Sequence, residues 1–534
     1  MYSTRLNHKR SPLVYAAILL AIGMLSHCYA VEVTEKNGTQ WFPFLEWVFQ
    51  NPSWQGNPYD VVASAEFVHT DSGTTHRTDM FYSGDTGWTL RFAGTRTGVW
   101  TFKTSSADPD LDGHTGKVTI HPNANKAARG FLQGRGNKWG WQGTEDVFVP
   151  QLAMWDYLVA DNSPKQFYRQ PHLIDSKIQT FINGHGFTGF HVSVIGGRWF
   201  DMEAENDSVN QAMTEPDPRT FEALELLITK TYLAGGMVHM WMWGDHQRAQ
   251  TCRSLKGGMG GPIDLRLQRY IAARLGPVPG WSMGYGFDLD EWVRAPKLRQ
   301  WHDHMQHCLG WFHFLGGRPV GPNRGLDHTT DAQWNQGLDY SSYEHHQPTY
   351  DTYVAALQAL PGQPVLSEDR FRIREGKYPE KDYSLERTRR GLYHSTMAGG
   401  VGNIWGIHPA QGAGGIYPNK TELKTYASFF FDKKRFLQDM ERANHLSLDE
   451  RSSVLLSPGT DSLVVYQEDT NTIQIDLSKW SGSGSAIAVN TRKAYKEITL
   501  TILPGQRQTV RLPDMSDWVL AVGSFHVSGE HSVH

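Results

Sequence analysis

Carboxylate side chains follow two short apolar runs in the middle of the chain. Glu368 comes directly after residues 364–367, and Asp288 and Glu291 come shortly after residues 280–284. One carboxylate can act as a nucleophile while a second carboxyl group donates a proton to a leaving group. The three acids are therefore candidates for a catalytic pair.

Arginine, histidine and aromatic residues follow the neighbouring apolar runs in the same way. They are Arg198 and Trp199; Trp241, Trp243, Asp245 and His246; Tyr285; Asn323 and Arg324; Tyr343, Glu344, His345 and His346; and Trp405 and His408. Such side chains would line a polar cleft with aromatic walls, which suits a sugar because hydroxyl groups need polar partners and C–H faces pack on rings. The predicted substrate-binding residues are Trp199, Arg198, Trp241, Trp243, Asp245, His246, Tyr285, Tyr343, His345 and Trp405.

Each of these residues also has a purely structural interpretation. Trp241 and Trp243 either stack on a sugar or fill the interior of the fold. His246 and His345 either bind hydroxyl groups or satisfy local hydrogen bonds. Arg198 either pairs with an anionic group of a substrate or forms a salt bridge within the protein. The sequence leaves these alternatives open.

Known cofactor and metal motifs do not explain the cluster. Glu344 stands beside His345 and His346, but the chain has neither an HExxH motif nor a spacing of two histidines and one carboxylate typical of a metal site. It also contains no GxGxxG, Walker or GxSxG motif. We therefore predict neither a metal nor a cofactor.

The elements that must position these residues alternate between strands and helices over residues 129–440. Eight strand-like runs, at 147–152, 189–195, 237–243, 280–284, 319–321, 339–343, 364–366 and 402–405, are separated by helical stretches, including one at 296–315. This pattern predicts a central (β/α)8 TIM barrel in an α/β fold, and active sites of such barrels lie where the strands end. Asp245, Asp288, Tyr343, Glu368 and Trp405 should then converge on one mouth.

The segments on either side of the barrel read as short strands with Gly and Asp turns. This pattern predicts an antiparallel β-sandwich domain at 31–128 and a second one at 441–534. Neither segment carries a carboxylate cluster at strand ends, so both are expected to support or extend the cleft.

Residues 1–30 have the features of a targeting segment. Basic residues up to Arg10 precede an apolar run at 13–25, and Ala30 offers a small residue for cleavage. The prediction is a signal peptide and a secreted or periplasmic protein, with a lipid anchor on Cys28 as the alternative. The mature chain would keep Cys252 and Cys308, either as one disulfide or as two free thiols.

Composition narrows the range of partners. The full chain carries a formal net charge of −4, and without the basic targeting segment 48 basic residues face 55 acidic ones. An acidic balance argues against a nucleic-acid or anionic-membrane partner, which would need a basic surface. Nothing in the sequence implies a stable protein partner, so the expected partner is a carbohydrate substrate.

Several motifs resemble those of known carbohydrate-active proteins. The stretch Asn57-Pro58-Tyr59-Asp60 and the run Trp88-Thr89-Leu90-Arg91-Phe92 resemble the β-sandwich that often precedes glycosidase barrels. The middle of the chain resembles clan-A glycoside hydrolases, near the apiosidase-like and endoglucosidase groups. The C-terminal part, with Asp517-Trp518-Val519-Leu520, is similar to a small collagen-binding-like β-sandwich.

The clan-A resemblance implies roles for particular residues. Retaining enzymes of this clan place a nucleophile at the end of the seventh strand and an acid/base residue after the fourth, with the carboxyl groups about 5–5.5 Å apart. Glu368 matches the nucleophile, and the resemblance implies that Tyr343 orients it.

The fourth strand departs from the clan pattern. Gly286 occupies the position where the acid is expected, so Asp288 is the preferred proton donor and Glu291 the alternative. If residues 287–292 begin a helical turn, these two acids lie on one face. The sequence thus predicts a secreted glycoside hydrolase, with two alternatives: a sugar-binding barrel without activity, or an inverting hydrolase that uses the same cleft.

Overall fold

The computed structural model describes residues 34–155, 171–192, 196–204, 207–319, 332–345, 347–371, 384–406, 419–458, 461–482 and 484–525. The predicted signal peptide lies outside these ranges. Within them, no helix is both long enough and apolar enough to cross a bilayer.

Two packed sheets form the N-terminal domain. The strands are β1 (Thr34–Thr39), β2 (Leu45–Gln50), β3 (Ala63–His69), β4 (Thr75–Asp79), β5 (Phe81–Gly84), β6 (Gly87–Phe92), β7 (Gly98–Ser106) and β8 (Thr115–His121). One sheet has the order β1-β8-β7-β3-β4 and the other β2-β6-β5. Trp47 and Leu90 of the smaller sheet pack with Phe67 and Trp100 of the larger one in a common core. The β1–β8 pair is parallel.

A small sheet covers one end of the barrel. It consists of β9 (Leu132–Arg135), β10 (Lys138–Trp141) and β11 (Val147–Phe148). Trp139 points from this sheet into the barrel, where its indole N–H donates to the carbonyl oxygen of Val365 at 3.2 Å and its ring packs edge-on against Phe314. Residues 147–152 were predicted to form the first barrel strand. Val147 and Phe148 belong instead to this three-stranded sheet, which we call the plug.

Eight parallel strands with surrounding helices form the central barrel, as predicted. The strands are β12 (Gln151–Met154), β13 (Gly189–Val192), β14 (Met237–Trp241), β15 (Trp281–Gly284), β16 (Phe314–Gly316), β17 (Ser341–Tyr343), β18 (Val365–Phe371) and β19 (Val401–Trp405). The described helices are α1 (Leu173–Lys177), α2 (Pro218–Leu233), α3 (Pro262–Leu275), α4 (Ala295–Leu309), α5 (Ala332–Asn335), α6 (Tyr350–Ala359), α7 (Leu385–Met397) and α8 (Lys420–Ala427). The sheet order is β16-β15-β14-β13-β12-β19-β18-β17.

The two end strands of this sheet, β16 and β17, nearly close the barrel. The Asp339 N–H donates to the Leu315 carbonyl oxygen at 3.0 Å, and the Ser342 hydroxyl donates to the Gly317 carbonyl oxygen at 2.7 Å. These links bring the ends of β17 and β16 beside each other.

The fifth strand lies earlier in the chain than predicted. Residues 319–321 were expected to form it, but the structure places it at Phe314–Gly316, with helix α4 ending at Leu309 rather than near residue 315. Gly310 stops the helix because it adopts a left-handed conformation (φ 71°), which glycine tolerates without steric cost. The apolar residues that follow belong to the strand rather than to the helix.

The C-terminal domain is one antiparallel sheet in the order β20-β21-β22-β25-β23-β24. Its strands are β20 (Glu441–Arg442), β21 (Ser453–Ser457), β22 (Ser462–Asp476), β23 (Ser485–Asn490), β24 (Ile498–Thr501) and β25 (Arg507–Val522). Register shifts between Gln467 and Thr472 interrupt the β22–β25 pairing, and such bulges bend strands. Val465 and Ile473, on the two sides of these shifts, share one core, so the bent sheet encloses its own apolar interior.

Buried ion pairs join both flanking domains to barrel helices. Arg91 on β6 lies 2.8 Å from Glu225 on α2, which also pairs with Arg274 on α3 at 2.6 Å. On the other side, Asp517 on β25 is fully buried and lies 2.6 Å from Arg389 on α7. A buried charge that loses its partner is strongly destabilising, so each domain helps to hold the barrel helices.

Candidate active site

Glu368 lies on β18, at the barrel end where the strands terminate. Its carboxylate is fully buried and accepts two short hydrogen bonds: the Trp241 indole N–H donates to Oε2 at 2.6 Å, and the Tyr340 hydroxyl donates to Oε1 at 2.9 Å. Trp241 is the last residue of β14, so two strands that are not neighbours in the sheet meet at this carboxylate. Glu368 therefore occupies the position that the sequence predicted for the nucleophile.

Small residues make room for these donors. A Cβ atom on Gly316 would lie 2.4 Å from the Tyr340 ring, and one on Gly284 would lie 2.9 Å from the Trp241 ring. Both glycines end barrel strands, so the top of the barrel interior is shaped for two large aromatic side chains.

Two buried histidines extend the hydrogen bonding away from Glu368. His239 Nε2 lies 2.9 Å from the Tyr340 hydroxyl and 3.6 Å from Oε1 of Glu368. His239 Nδ1 in turn lies 2.8 Å from Nδ1 of His191. Both histidines are completely buried, on β14 and β13. A continuous chain thus runs from β13 through β14 to the carboxylate.

Arg318, just after β16, connects Glu368 to two further acids. Its guanidinium donates to the main-chain carbonyl oxygen of Glu368 at 3.0 Å and to Asp288 Oδ1 at 2.8 Å, and it lies 3.4 Å from Glu344. It also lies over the ring of Trp241, 5.2 Å from the centroid. The site therefore groups three carboxylates around one arginine.

Burial sets the charge state of the central groups. It raises the pKa of Glu368 to about 7. Hydrogen bonds from Trp241 and Tyr340 and the charge of Arg318 favour the anion and lower the pKa, but burial has the larger effect. Burial lowers the pKa of His239 to about 3, so this imidazole is neutral at ordinary pH. A carboxyl group whose pKa lies near 7 can accept or release a proton at physiological pH.

The two candidate proton donors differ in position. Asp288 is only about one-fifth exposed and is tied to the Glu368 main chain by Arg318, whereas Glu291 is exposed. Residues Leu289–Glu291 form one 3₁₀ turn, and Asp288 precedes it with a left-handed backbone (φ 52°). The turn is shorter than predicted and does not include Asp288, so the two acids do not share a helical face, and of the two Asp288 is linked to Glu368 through Arg318.

Among the predicted substrate-binding residues, Trp241 is linked directly to Glu368 by a hydrogen bond between described residues. Because it is fully buried and donates to the carboxylate, it serves as a partner of Glu368 rather than as an exposed platform for a sugar. Asp245 and His246 follow β14 on the same side of the barrel, where Asp245 accepts from the Gln247 N–H at 2.7 Å and caps a short 3₁₀ turn. His345, after β17, accepts from the Gln347 N–H at 3.2 Å.

The structure turns other predicted residues toward the helices. The Trp199 indole N–H donates to the Met242 carbonyl oxygen, and the buried Arg198 pairs with Asp207. Trp243 and Tyr285 are fully buried in the core shared by strands and helices, where the Tyr285 hydroxyl lies 3.2 Å from Cys252 Sγ.

Tyr343 and Trp405 also face away from the carboxylate. Tyr343 packs in a cluster with Tyr353 of helix α6, and Tyr340 is the tyrosine that donates to Glu368. Trp405 donates to the Gln151 side chain at 2.6 Å. Of the residues predicted to converge, Asp288 is linked to Glu368 through Arg318, while the described contacts of Tyr343 and Trp405 are with other groups. Asn323, Arg324, His346 and His408 lie outside the described residues.

Two other expectations concern cysteines and metals. Cys252 and Cys308 are free thiols in the structure, which resolves the alternative left open by the sequence. No group of three metal-ligating side chains occurs among the described residues.

A large cavity lies at the opposite end of the barrel. It has a volume of about 1130 Å³ and is lined by residues that precede barrel strands, such as Thr188, Gly235 and Gly399, together with Phe148 of the plug. It contains none of the predicted catalytic residues. Since barrel chemistry belongs to the end where the strands terminate, we assign the candidate site to Glu368 and not to this cavity.

Sequence reasoning missed Tyr340, His239, His191 and Arg318. For His239 a signal was present: strand side chains alternate, so His239 must face the same side of β14 as Trp241. Tyr340 likewise falls inside the predicted sixth strand, where Ser342 and Tyr340 share a face. Arg318 carried no usable signal, because the fifth strand was placed after it.

Comparisons with known proteins agree with this architecture. The family described as "Domain of unknown function (DUF5060)" matches residues 38–107, within the N-terminal sandwich. No curated protein sequence matches the chain.

Solved structures extend the likeness to most of the chain. One is described as "Crystal structure of a putative glycoside hydrolase from Bacteroides vulgatus ATCC 8482". It is 15% identical with a TM-score of 0.69, and the match covers 91% of this chain and 99% of that one. A second, titled "Glycoside hydrolase", is 14% identical with a TM-score of 0.54, over 75% of this chain and 98% of that one. A family 5 glycoside hydrolase from the same Bacteroides strain is 15% identical with a TM-score of 0.50, over 74% and 93%. The chain therefore has a (β/α)8 barrel fold with flanking β domains, as these solved structures do.

Proposed function

We propose that this protein is a secreted glycoside hydrolase that cleaves O-glycosidic bonds of a poly- or oligosaccharide. The observation that carries the proposal is the setting of Glu368: a buried carboxylate at the catalytic end of the barrel, held by Trp241 and Tyr340. The likeness to solved glycoside hydrolases supports the same assignment.

In this proposal Glu368 attacks the anomeric carbon and Asp288 donates the proton to the leaving group. The Trp241 and Tyr340 donors orient the attacking carboxylate, while Arg318 ties the Asp288 side chain to the Glu368 main chain. Glu291 is the alternative proton donor. Asp288 must leave its ion pair with Arg318 to act as an acid, which substrate binding would have to bring about.

The experiment is a hydrolysis screen of the mature full-length protein against plant, algal and bacterial glycans, with Glu368→Gln as the inactive control. ¹H NMR of the first product anomer distinguishes retention of configuration from inversion. Release of reducing ends by the wild-type protein and not by the variant supports the proposal. Equal release by both proteins contradicts it.

A second candidate function is sugar binding without catalysis. It is favoured by Gly286, which occupies the position where the clan pattern has its acid, and by the ion pair that engages Asp288. Glycan binding in the same screen, with no product after prolonged incubation, would support this candidate.

The apiosidase-like grouping and the collagen-binding-like character of the C-terminal domain belong to the proposal as well, and both rest on sequence motifs.

A further inference from the structure

The hydrogen-bond chain that ends on Glu368 has a defined direction. A tyrosine hydroxyl has one proton to donate, and Tyr340 gives it to Oε1 of Glu368. The Tyr340 oxygen must therefore accept from His239 Nε2, 2.9 Å away. Nε2 of His239 consequently carries a hydrogen.

The same reasoning fixes the second histidine. A neutral imidazole has one N–H, and His239 is neutral because burial lowers its pKa to about 3. With its hydrogen on Nε2, His239 can only accept at Nδ1. His191 Nδ1, 2.8 Å away, must then be the donor. Every link in the chain thus donates toward the carboxylate.

The groups around Glu368 belong to four barrel strands or to the residues beside them. His191 lies on β13, and His239 and Trp241 lie on β14. Tyr340 immediately precedes β17. Arg318 follows β16 and pairs with Asp288 and Glu344. His191 further contacts the edge of the Trp241 ring, at 4.3 Å between centroids, so it supports both donors to the carboxylate.

We infer that His191 and His239 are positioning residues, which through Tyr340 keep hydrogen-bond donors directed at Glu368 and so favour its ionised form. The inference rests on the proposed function in one respect, because the ionised form of Glu368 is the form that attacks the anomeric carbon. The histidines touch no reacting atom in this scheme. They fix the orientation of the Tyr340 hydroxyl, which would otherwise be free to rotate away from the carboxylate.

The first test reads the tautomers directly and needs no substrate. Full-length protein with ¹⁵N-labelled histidine is studied by NMR at a pH above the Glu368 titration, and the two signals are assigned by their loss in His191→Asn and His239→Gln. We expect His239 protonated at Nε2 and His191 protonated at Nδ1. A hydrogen on Nδ1 of His239, or a charged imidazolium, would overturn the inference, because the chain would then run the other way.

The second test follows the titration of Glu368 itself by ¹³C NMR of the labelled carboxyl carbon, assigned with Glu368→Gln. In His239→Leu and His191→Leu we expect the titration to move upward by about one pH unit, since donors that favour the anion lose their orientation. His239→Gln and His191→Asn retain an N–H near the native position and should restore much of the wild-type value.

A matched control separates positioning from general loss of packing. His313 is also fully buried in the barrel, but it hydrogen-bonds to the Gly276 carbonyl oxygen at 2.8 Å and stacks on Trp281. His313→Leu should leave the Glu368 titration unchanged. An equal shift in this control, or none in the two Leu variants, would refute the positioning role.

The outcomes also separate this inference from the proposed function. A protein that shows the expected shifts but hydrolyses no glycan would refute the hydrolase and leave the roles of the two histidines standing. Hydrolysis that depends on Glu368, without any shift in the histidine variants, would refute the positioning role alone.

Discussion

The Trp241 indole N–H donates to Oε2 of Glu368 at 2.6 Å, although 127 residues separate the two in the chain. The barrel brings them together because Trp241 on β14 and Glu368 on β18 both direct their side chains into its interior. A charged acceptor makes this hydrogen bond stronger than one between neutral groups. The contact orients the carboxylate and partly offsets the cost of burying it.

Glu368→Gln should abolish turnover while leaving substrate binding largely intact. The amide keeps the shape of the side chain but cannot attack the anomeric carbon, so the loss falls on the transition state. We expect kcat to fall by at least about 10³-fold with little change in the dissociation constant. Glu145→Gln, at the exposed opposite end of the barrel, is the control. Ordinary turnover by Glu368→Gln would rule out the mechanism.

The same substitution should stabilise the protein at alkaline pH. Burial raises the pKa of Glu368 from an ordinary 4.5 to about 7 in the folded state, so the stability linked to its protonation is full below pH 4.5 and is lost as the pH rises through 7. The loss amounts to at most about 3 kcal/mol on the conversion of pKa units to free energy. Glu368→Gln should therefore raise Tm at pH 8 and raise it less at pH 5. A larger gain at pH 5 would contradict the sign of this shift.

Leaving-group dependence should distinguish Asp288 from Glu291. Loss of a general acid slows the departure of poor leaving groups most, because good ones need no proton. Asp288→Asn should lose most activity on the natural glycan and recover much of it on an activated aryl glycoside. Glu291→Gln, whose parent side chain is exposed, should change activity by less than about tenfold on both substrates. The opposite ranking would transfer the acid role to Glu291.

The fold was largely predictable because periodicity and turn residues report on strands and helices directly. The eight barrel units and the N-terminal sandwich follow from such patterns. The fifth strand was misplaced because the apolar residues from Trp311 to Leu315 continue the apolar pattern of helix α4. Gly310 was the signal that ends the helix, and its left-handed φ appears only in the structure.

The site was only partly predictable. A sequence pattern indicates where a residue lies along a strand, but the site depends on the direction in which each side chain points. Tyr340 immediately precedes β17 and Tyr343 ends it, and because the two are three residues apart they face opposite sides of the sheet. Sequence alone chose Tyr343, and the structure points Tyr340 at Glu368. Arg318, whose partners Asp288, Glu344 and Glu368 lie far from it in the chain, depends on tertiary contacts that no local pattern contains.

Trp139→Ala should destabilise the barrel through its closed end. The side chain is fully buried, packs against Phe314 and donates to the Val365 carbonyl oxygen. Its removal leaves a large cavity and breaks the hydrogen bond to Val365, which should cost about 3–5 kcal/mol of unfolding free energy. Chemical denaturation measures the change, with the half-buried Trp54→Ala as control. A loss no greater than in the control would show that the small sheet is dispensable for stability.

A fragment limited to residues 129–440 should be much less stable than the mature protein, because both flanking domains supply partners to buried charges. Without the N-terminal domain Glu225 loses Arg91, and without the C-terminal sheet Arg389 loses Asp517. Glu225 keeps Arg274 and Arg389 keeps Glu422, so the loss of stability combines the two missing ion pairs with the apolar helix faces that removal of the domains exposes to water.

Two longer fragments, residues 34–440 and 129–525, separate the contributions of the domains. Each restores one buried pair, so each should melt between the isolated barrel and the full chain in differential scanning calorimetry. Hydrolysis should follow the same order, because the barrel helices position the strands that carry Glu368 and Asp288. An isolated barrel with the Tm and the activity of the mature protein would show that the ion pairs at Glu225 and Asp517 are incidental to the site.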